Sequence, residues 1–214
     1  MIQACIFDLD GVIVDTARFH FLAWQRLARE LGVSFTEKEN EKLKGVSRMQ
    51  SLEIILELGG ISASEEQKEK WATQKNQWFV EYVDTLLPKD IFPGVQKLLE
   101  ELKKKQIKLA LASSSKNAQR VIKLLGIAAL FDAVVDGTMI KKSKPDPEVF
   151  LLAAQRIGVA PSYCIVFEDA EAGVEAALAA GMKCVGVGQV SALNKAHRIV
   201  ATTGDFRSED LERL

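Results

Sequence analysis

The sequence predicts an α/β fold in which a doubly wound parallel sheet is interrupted by an inserted all-α helical cap domain. Three observations carry this. Short apolar runs recur at residues 2–7, 107–112, 133–135, 163–167, 183–187 and 198–201, each the length of a buried strand. Segments with helical apolar spacing separate most of them, which implies βαβ units and a Rossmann-like core. Residues 16 to about 84 break the alternation, because no strand pattern appears between Asp15 and Pro88.

Taken in order, the first run ends in CIFDLDGVIVDTA, residues 5–17, where Asp8, Asp10 and Asp15 interrupt apolar residues. Residues 17–31 follow as an amphipathic helix that stops at Gly32, with His20, Trp24, Leu27 and Leu31 on one stripe. Residues 51–58 form a second helix, ended by Gly59 and Gly60. Residues 64–83 form a long polar helix carrying Trp71, Trp78, Phe79 and Tyr82. These helices define a cap over residues 16–88, and residues 1–15 and 89–214 define the core. The chain crosses between them at 14–16 and 87–93, so a hinged lid is expected, although a fixed helical layer fits the same pattern. In the core, residues 95–105 bring Leu98, Leu99 and Leu102 to one face, and residues 118–125 do the same with Val121, Ile122 and Leu125. Residues 148–157 and 170–180 complete the helices.

Composition excludes several classes of function. The 214 residues are 48% hydrophobic and 27% charged, with a net charge of -1, so no basic field points to nucleic acid or to an anionic membrane. No apolar run approaches the roughly 20 residues of a membrane span. The N-terminal residues read as a first strand rather than a signal peptide. Cys5, Cys164 and Cys184 each sit in an apolar run and form no CxxC pair, so reduced thiols in a cytoplasmic protein are expected. A monomer acting on a small molecule is the expected working form.

In an open parallel sheet, ligands bind beyond the carboxyl ends of the strands, and four motifs fall there. Asp8 and Asp10 are i and i+2, so an extended backbone points them the same way, and Gly11 permits a sharp turn. Two solvated turn aspartates fit this stretch as well as two carboxylates around a hard cation such as Mg²⁺. Glu168 and Asp169 close another strand and open a helix, where an acidic pair also favours the helix dipole. The run SSSKN, with Ser113, Ser115, Lys116 and Asn117, couples hydroxyls to a helix start, which suits phosphate and also suits simple capping. Lys144 precedes Pro145, which favours extended backbone there, and Asp146 with Pro147 suits a helix start. There is no GxxxxGK[ST] loop. Carboxylates, a hydroxyl and a lysine beyond strand ends make a phosphoryl-transfer set, with a carboxylate as nucleophile and another as proton carrier.

DLDG at residues 8–11, Ser113, the Lys144-Pro145 pair and Glu168-Asp169, in that order, resemble the haloacid dehalogenase-like phosphohydrolase superfamily along essentially the whole chain. The resemblance implies Asp8 as nucleophile and Asp10 as general acid/base. It implies Mg²⁺ held by Asp8, by Asp10 through its backbone carbonyl, and by Asp169 with Glu168 beside it. It implies Ser113 and Lys144 as contacts of the transferring phosphate. Ala170 departs from the pattern, in which Ser is frequent.

Within the cap, HFLAW, LKGVSR and KN, with ASSSKN in the core, resemble the β-phosphoglucomutase branch of that superfamily. This implies that His20, Trp24, Gly45, Arg48, Lys75 and Asn76, with Ser115, Lys116 and Asn117, address a sugar phosphate and its non-transferring phosphate. Taken by themselves, a histidine on an apolar stripe fits a packed boundary residue, and Arg48 on a loop after Gly45 fits a solvated side chain. The expected activity is exchange between β-glucose 1-phosphate and glucose 6-phosphate through a bisphosphate. A phosphatase of a small sugar phosphate or phosphoglycolate is the alternative, and a non-catalytic binding relative the more distant one.

Overall fold

A computed structural model of the chain describes residues 2–43, 46–189 and 193–213. Strands β1 (Ala4–Phe7), β2 (Lys108–Ala112), β3 (Ala133–Val135), β4 (Cys164–Glu168), β5 (Lys183–Val187) and β6 (Arg198–Val200) form one sheet in the order β3-β2-β1-β4-β5-β6. Every pairing is parallel. All six predicted runs are strands, with ends displaced by at most two residues.

Period-two alternation divides the sheet into two apolar faces. Cys5 and Phe7 of β1, Leu109 and Leu111 of β2, and Ile165 and Phe167 of β4 share one face with helices α5 (Val95–Lys104) and α6 (Ala118–Leu124). The intervening Ala4, Ile6, Ala110, Ala112 and Val166 meet α7 (Glu148–Ile157) and α8 (Glu171–Ala179) on the other. The first face is anchored by Phe7 stacked on Phe167 at 4.5 Å, with Phe206 edge-on to Phe167 at 5.0 Å. The strand order reverses between β1 and β4, which puts the expected ligand crevice at their carboxyl ends.

Between β1 and β2 the chain forms α1 (Ala17–Glu30), α2 (Glu37–Asn40), α3 (Arg48–Gly59) and α4 (Glu65–Val83). Helix α1 buries Phe19, Ala23, Trp24 and Leu27, and α4 buries Ala72, Lys75, Trp78 and Phe79. All of these except Lys75 belong to the same apolar cluster that covers the first sheet face. The two crossings lie side by side. Val14 bridges to both Asp10 and Ile91, and the Phe92 N–H donates to the Ile13 carbonyl at 2.9 Å.

Three local details differ from the sequence expectation. Helix α3 starts three residues early, because Ser47 caps it by accepting from the Gln50 N–H at 3.3 Å. Arg48 is therefore the first helical residue and not a loop residue. Helix α2 is four residues long, too short to carry an apolar period. Pro147 occupies the cap position of α7, one residue outside the helix, while the Asp146 carboxylate accepts from the Glu148 N–H at 3.0 Å. The Lys144-Pro145 peptide bond is cis. Gly45 lies outside the described residues. Cys5, Cys164 and Cys184 are buried and unbridged.

Phe167 packs between a stacked and an edge-on ring at the centre of the sheet. Replacing it with Ala should cost about 3–5 kcal/mol of unfolding free energy in denaturant titration. A loss below about 1 kcal/mol would contradict this packing.

Candidate active site

The site grows from the carboxyl ends of β1 and β4. Parallel register sets Phe7 against Phe167, and the Asp8 N–H donates to the Phe167 carbonyl at 3.0 Å. Asp8 and Glu168 therefore emerge side by side, both buried. Two unshielded carboxylates there would be costly. Lys144 offsets that cost: its ammonium lies 2.5 Å from Asp8 Oδ1 and 2.7 Å from Glu168 Oε2, and the residue is 1% exposed. Burial alone would lower the Lys144 pKa, but Asp8 and Glu168 together hold it above its ordinary value. Burial pushes Glu168 up to about 7, against the pull of Lys144. The second Glu168 oxygen accepts from the Ala170 N–H at 3.1 Å, so Ala170 serves through its backbone.

Two glycines give the carboxylates room. Gly11 has φ +78°, and a Cβ there would overlap the Asp169 carboxylate. A Cβ at Gly173 would overlap Glu168. Asp8, Glu168 and Asp169 each offer an oxygen within 4.8 Å of the others. This hard, all-oxygen cluster fits a divalent cation. The Asp10 side chain is not part of it, so a role for Asp10 as ligand would fall to its backbone carbonyl.

Asp10 turns instead toward the helices. Its Oδ2 lies 3.8 Å from His20 Nε2, and its buried Oδ1 has no hydrogen-bond partner among the described residues. Burial, then the neighbouring Asp8, raises the Asp10 pKa to about 8. His20 stacks on Phe79 at 3.9 Å, and its Nδ1 lies 2.8 Å from the Lys75 ammonium. With Lys75 donating, Nδ1 accepts and the ring proton lies on Nε2, toward Asp10. Burial and then the cations Lys75 and Arg48 hold His20 well below its usual pKa. Lys75 is 2% exposed and sits 4.4 Å over the Trp24 ring. Burial, then Arg48, lowers its pKa.

Asn76 joins three elements. Its Oδ1 accepts from Arg48 Nη2 at 2.8 Å and from Asn117 Nδ2 at 2.9 Å. Burial lowers the Arg48 pKa. At the end of β2, Ser113 Oγ accepts from the Ser115 N–H at 3.1 Å, and Ser115 Oγ from the Asn117 N–H at 3.3 Å.

One cleft collects these groups. Asp8, Asp10, Glu168 and Asp169 line its floor. His20, Trp24, Arg48 and Lys75 line the helical wall, and Ser113, Ser115 and Lys116 the β2 side. Lys144 lies behind the floor against Asp8, and Asn76 and Asn117 stand behind Arg48. Sequence reasoning passed over Thr16, whose buried hydroxyl has no partner among the described residues, and Ser143, whose hydroxyl donates to Gln50 of α3. It also passed over Glu148, read only as a helix start. A hydroxyl at a helix entrance was the one available signal for Thr16, and it reads equally as a cap.

A profile described as haloacid dehalogenase-like hydrolase matches residues 5–187. The chain belongs to this family. A β-phosphoglucomutase of Bacillus subtilis (strain 168) is 44% identical over 209 residues, covering 97% of this chain and 92% of its own length. A phosphorylated carbohydrates phosphatase of Thermotoga maritima is 39% identical over 195 residues, covering 90% and 87%. The crystal structure of a β-phosphoglucomutase from Clostridium difficile superposes with a TM-score of 0.97 at 45% identity, covering 100% of this chain and 96% of that one.

The raised Asp10 pKa has a consequence for stability. Between about 3.9, the ordinary Asp value, and about 8, the folded protein binds more protons than the unfolded chain. Stability of the metal-free protein should therefore fall as pH rises through this window. Asp10→Asn removes that term, so the variant should melt above the parent near pH 8, with the gap closing toward pH 5, in melts with a chelator present. A gap that is constant or reversed would contradict the protonated Asp10.

Proposed function

We propose that this chain is a β-phosphoglucomutase, a phosphomutase that interconverts β-D-glucose 1-phosphate and glucose 6-phosphate with Mg²⁺. One observation carries the reading: a single cleft joins a carboxylate floor, suited to a hard cation and a transferring phosphoryl group, to an opposite wall that carries cations. Lys144 sits at the Asp8 floor, and Arg48, tied to Asn76 and Asn117, sits on the opposite wall. A molecule with a phosphate at each end fits such a site. The near full-length similarity to the Bacillus enzyme supports the same conclusion.

In this mechanism an Asp8 oxygen attacks the phosphorus of the bisphosphate and becomes an aspartyl-phosphate. Asp10, kept protonated by burial, gives its proton to the departing sugar oxygen, and as a carboxylate it takes one from the attacking hydroxyl in reverse. Lys144 and the Ser113 hydroxyl neutralise and orient the transferring phosphoryl oxygens. Arg48, with Ser115, Lys116 and Asn117, holds the other phosphate. Neutral His20 turns its Nε2 toward Asp10 at 3.8 Å, beside the proton that Asp10 carries. Asp8, Glu168, Asp169 and the Asp10 carbonyl would hold Mg²⁺, which when bound offsets the charge of the carboxylates and phosphoryl group. The β-glucose 1,6-bisphosphate must turn over between the two half-reactions. Residues 16–88 then act as a cap that opens on residues 1–15 and 89–214, pivoting where Val14 and Ile91 meet. Trp24, under the Lys75 ammonium, shapes the sugar side. We further infer a monomer, in a cytoplasm whose reducing setting suits the three free thiols.

The second reading, a sugar-phosphate phosphatase, is favoured by the Thermotoga relative. A binding-only relative is disfavoured, because a buried ammonium between two carboxylates adds little stability by itself. The deciding experiment follows β-glucose 1-phosphate with Mg²⁺ and a trace of bisphosphate primer, recording glucose 6-phosphate and free phosphate together. The mutase yields glucose 6-phosphate without matching phosphate, and phosphate without isomerisation makes the protein a phosphatase. Asp10→Asn should lower kcat about 10²–10⁴-fold while the protein stays folded. Arg48→Ala should reduce turnover of the sugar phosphate far more than that of acetyl phosphate, and equal losses would remove its role at the second phosphate.

A further inference from the structure

The segment from Ile140 to Lys144 enters the cleft without helix or strand structure of its own. Something must hold it, because Lys144 at its end reaches Asp8 and Glu168. Glu148, the first residue of α7, supplies the anchor. Its Oε1 accepts from the Lys141 N–H at 3.1 Å, and its Oε2 accepts from the N–H groups of Lys141 at 3.1 Å and Lys142 at 2.7 Å. The Glu148 N–H is in turn fixed by Asp146. Helix α7 itself is immobilised, since Val149, Phe150, Ala153 and Ala154 are buried against the sheet. Phe150, two residues after the anchor, lies 4.9 Å from the Lys144 ammonium. Anchor, segment and lysine thus form one closed loop on a rigid helix. On the far side of the segment, the Ser143 hydroxyl reaches Gln50, in the helical turn that also carries Arg48.

The geometry points to Glu148 as a positioning residue for phosphoryl transfer: its carboxylate pins the Lys141–Lys142 backbone, so that Lys144 meets Asp8 and Ser143 meets the helix turn bearing Arg48. A carboxylate is suited to this because it accepts on both oxygens, whereas an amide presents one acceptor and turns its NH₂ toward the backbone donors. Backbone N–H groups held by a charged acceptor are among the stronger hydrogen bonds. The proposal rests on the phosphoryl-transfer reading of Asp8 and Lys144, but not on the identity of the sugar.

Acetyl phosphate with Mg²⁺ is therefore the probe. Glu148→Gln should lower kcat for acetyl phosphate turnover about 10- to 100-fold, the scale of a lost supporting contact or a small misplacement at a reacting group. KM should stay within about twofold and the melting temperature within a few degrees, and Glu148→Asp, which keeps two acceptor oxygens, should recover most of the loss. A folded Glu148→Gln variant with parental kcat overturns the proposal, as does an equal loss in kcat and melting temperature that Asp does not rescue. Amide exchange of the unaltered protein is the second measurement. The Lys141 and Lys142 N–H groups should exchange slowly, and free exchange at both overturns the proposal even if Glu148→Gln does not fold. A protein that turns over acetyl phosphate but not β-glucose 1-phosphate removes the mutase reading and leaves this test intact.

Discussion

A buried ammonium shared by two carboxylates sets the geometry on which this molecule depends. Lys144 is 1% exposed and contacts Asp8 and Glu168. Removing one partner from such a cluster typically costs about 3–5 kcal/mol, because a charge is left buried without compensation. The same cluster contributes little net stability when complete. Its value is positional: it ties together the end of β1, the end of β4 and the segment before α7. The sheet must present those ends in register, which the parallel pairing of Phe7 with Phe167 and the stacking of their rings accomplish. Gly11 and Gly173 supply the remaining space, each where a Cβ would overlap a carboxylate.

Facing this acidic floor, α1, α3 and α4 carry a wall of basic side chains with suppressed basicity. Lys75 and His20 are packed against Trp24 and Phe79, and burial lowers the pKa of both. A buried ammonium such as Lys75 awaits an anion, and Asp10, whose pKa is pushed to about 8, is the acidic floor group that faces it and His20. The cleft therefore holds opposite charges on opposite walls. A dianionic phosphate and a hard cation would complement both at once.

Much of the fold was legible in the sequence, since six apolar runs of strand length separated by amphipathic stretches leave few alternatives. The carboxylates were legible for a related reason: Asp8 and Glu168 interrupt runs that are otherwise wholly buried. What escaped were partnerships across distance. His20 and Lys75 are 55 residues apart, and Arg48 and Asn76 are 28 apart. Periodicity gives the face of each helix but not the neighbour it meets. Glu148 escaped for a different reason. An acidic residue in a first helical turn is ordinary, and its two backbone donors lie in a segment without periodic pattern. Arg48 was misplaced onto a loop because the Ser47 cap and the Gln50 contact starting α3 are local and leave no apolar signature.

The measurement that bears most directly on the account is the chemical fate of Asp8. The protein would be mixed with Mg²⁺ and acetyl phosphate, quenched in acid within the turnover time, digested, and the peptide containing DLDGVIVD mapped by mass spectrometry. The account predicts one phosphoryl group, on Asp8. Sustained turnover with no label, or with the label on another side chain, would contradict it.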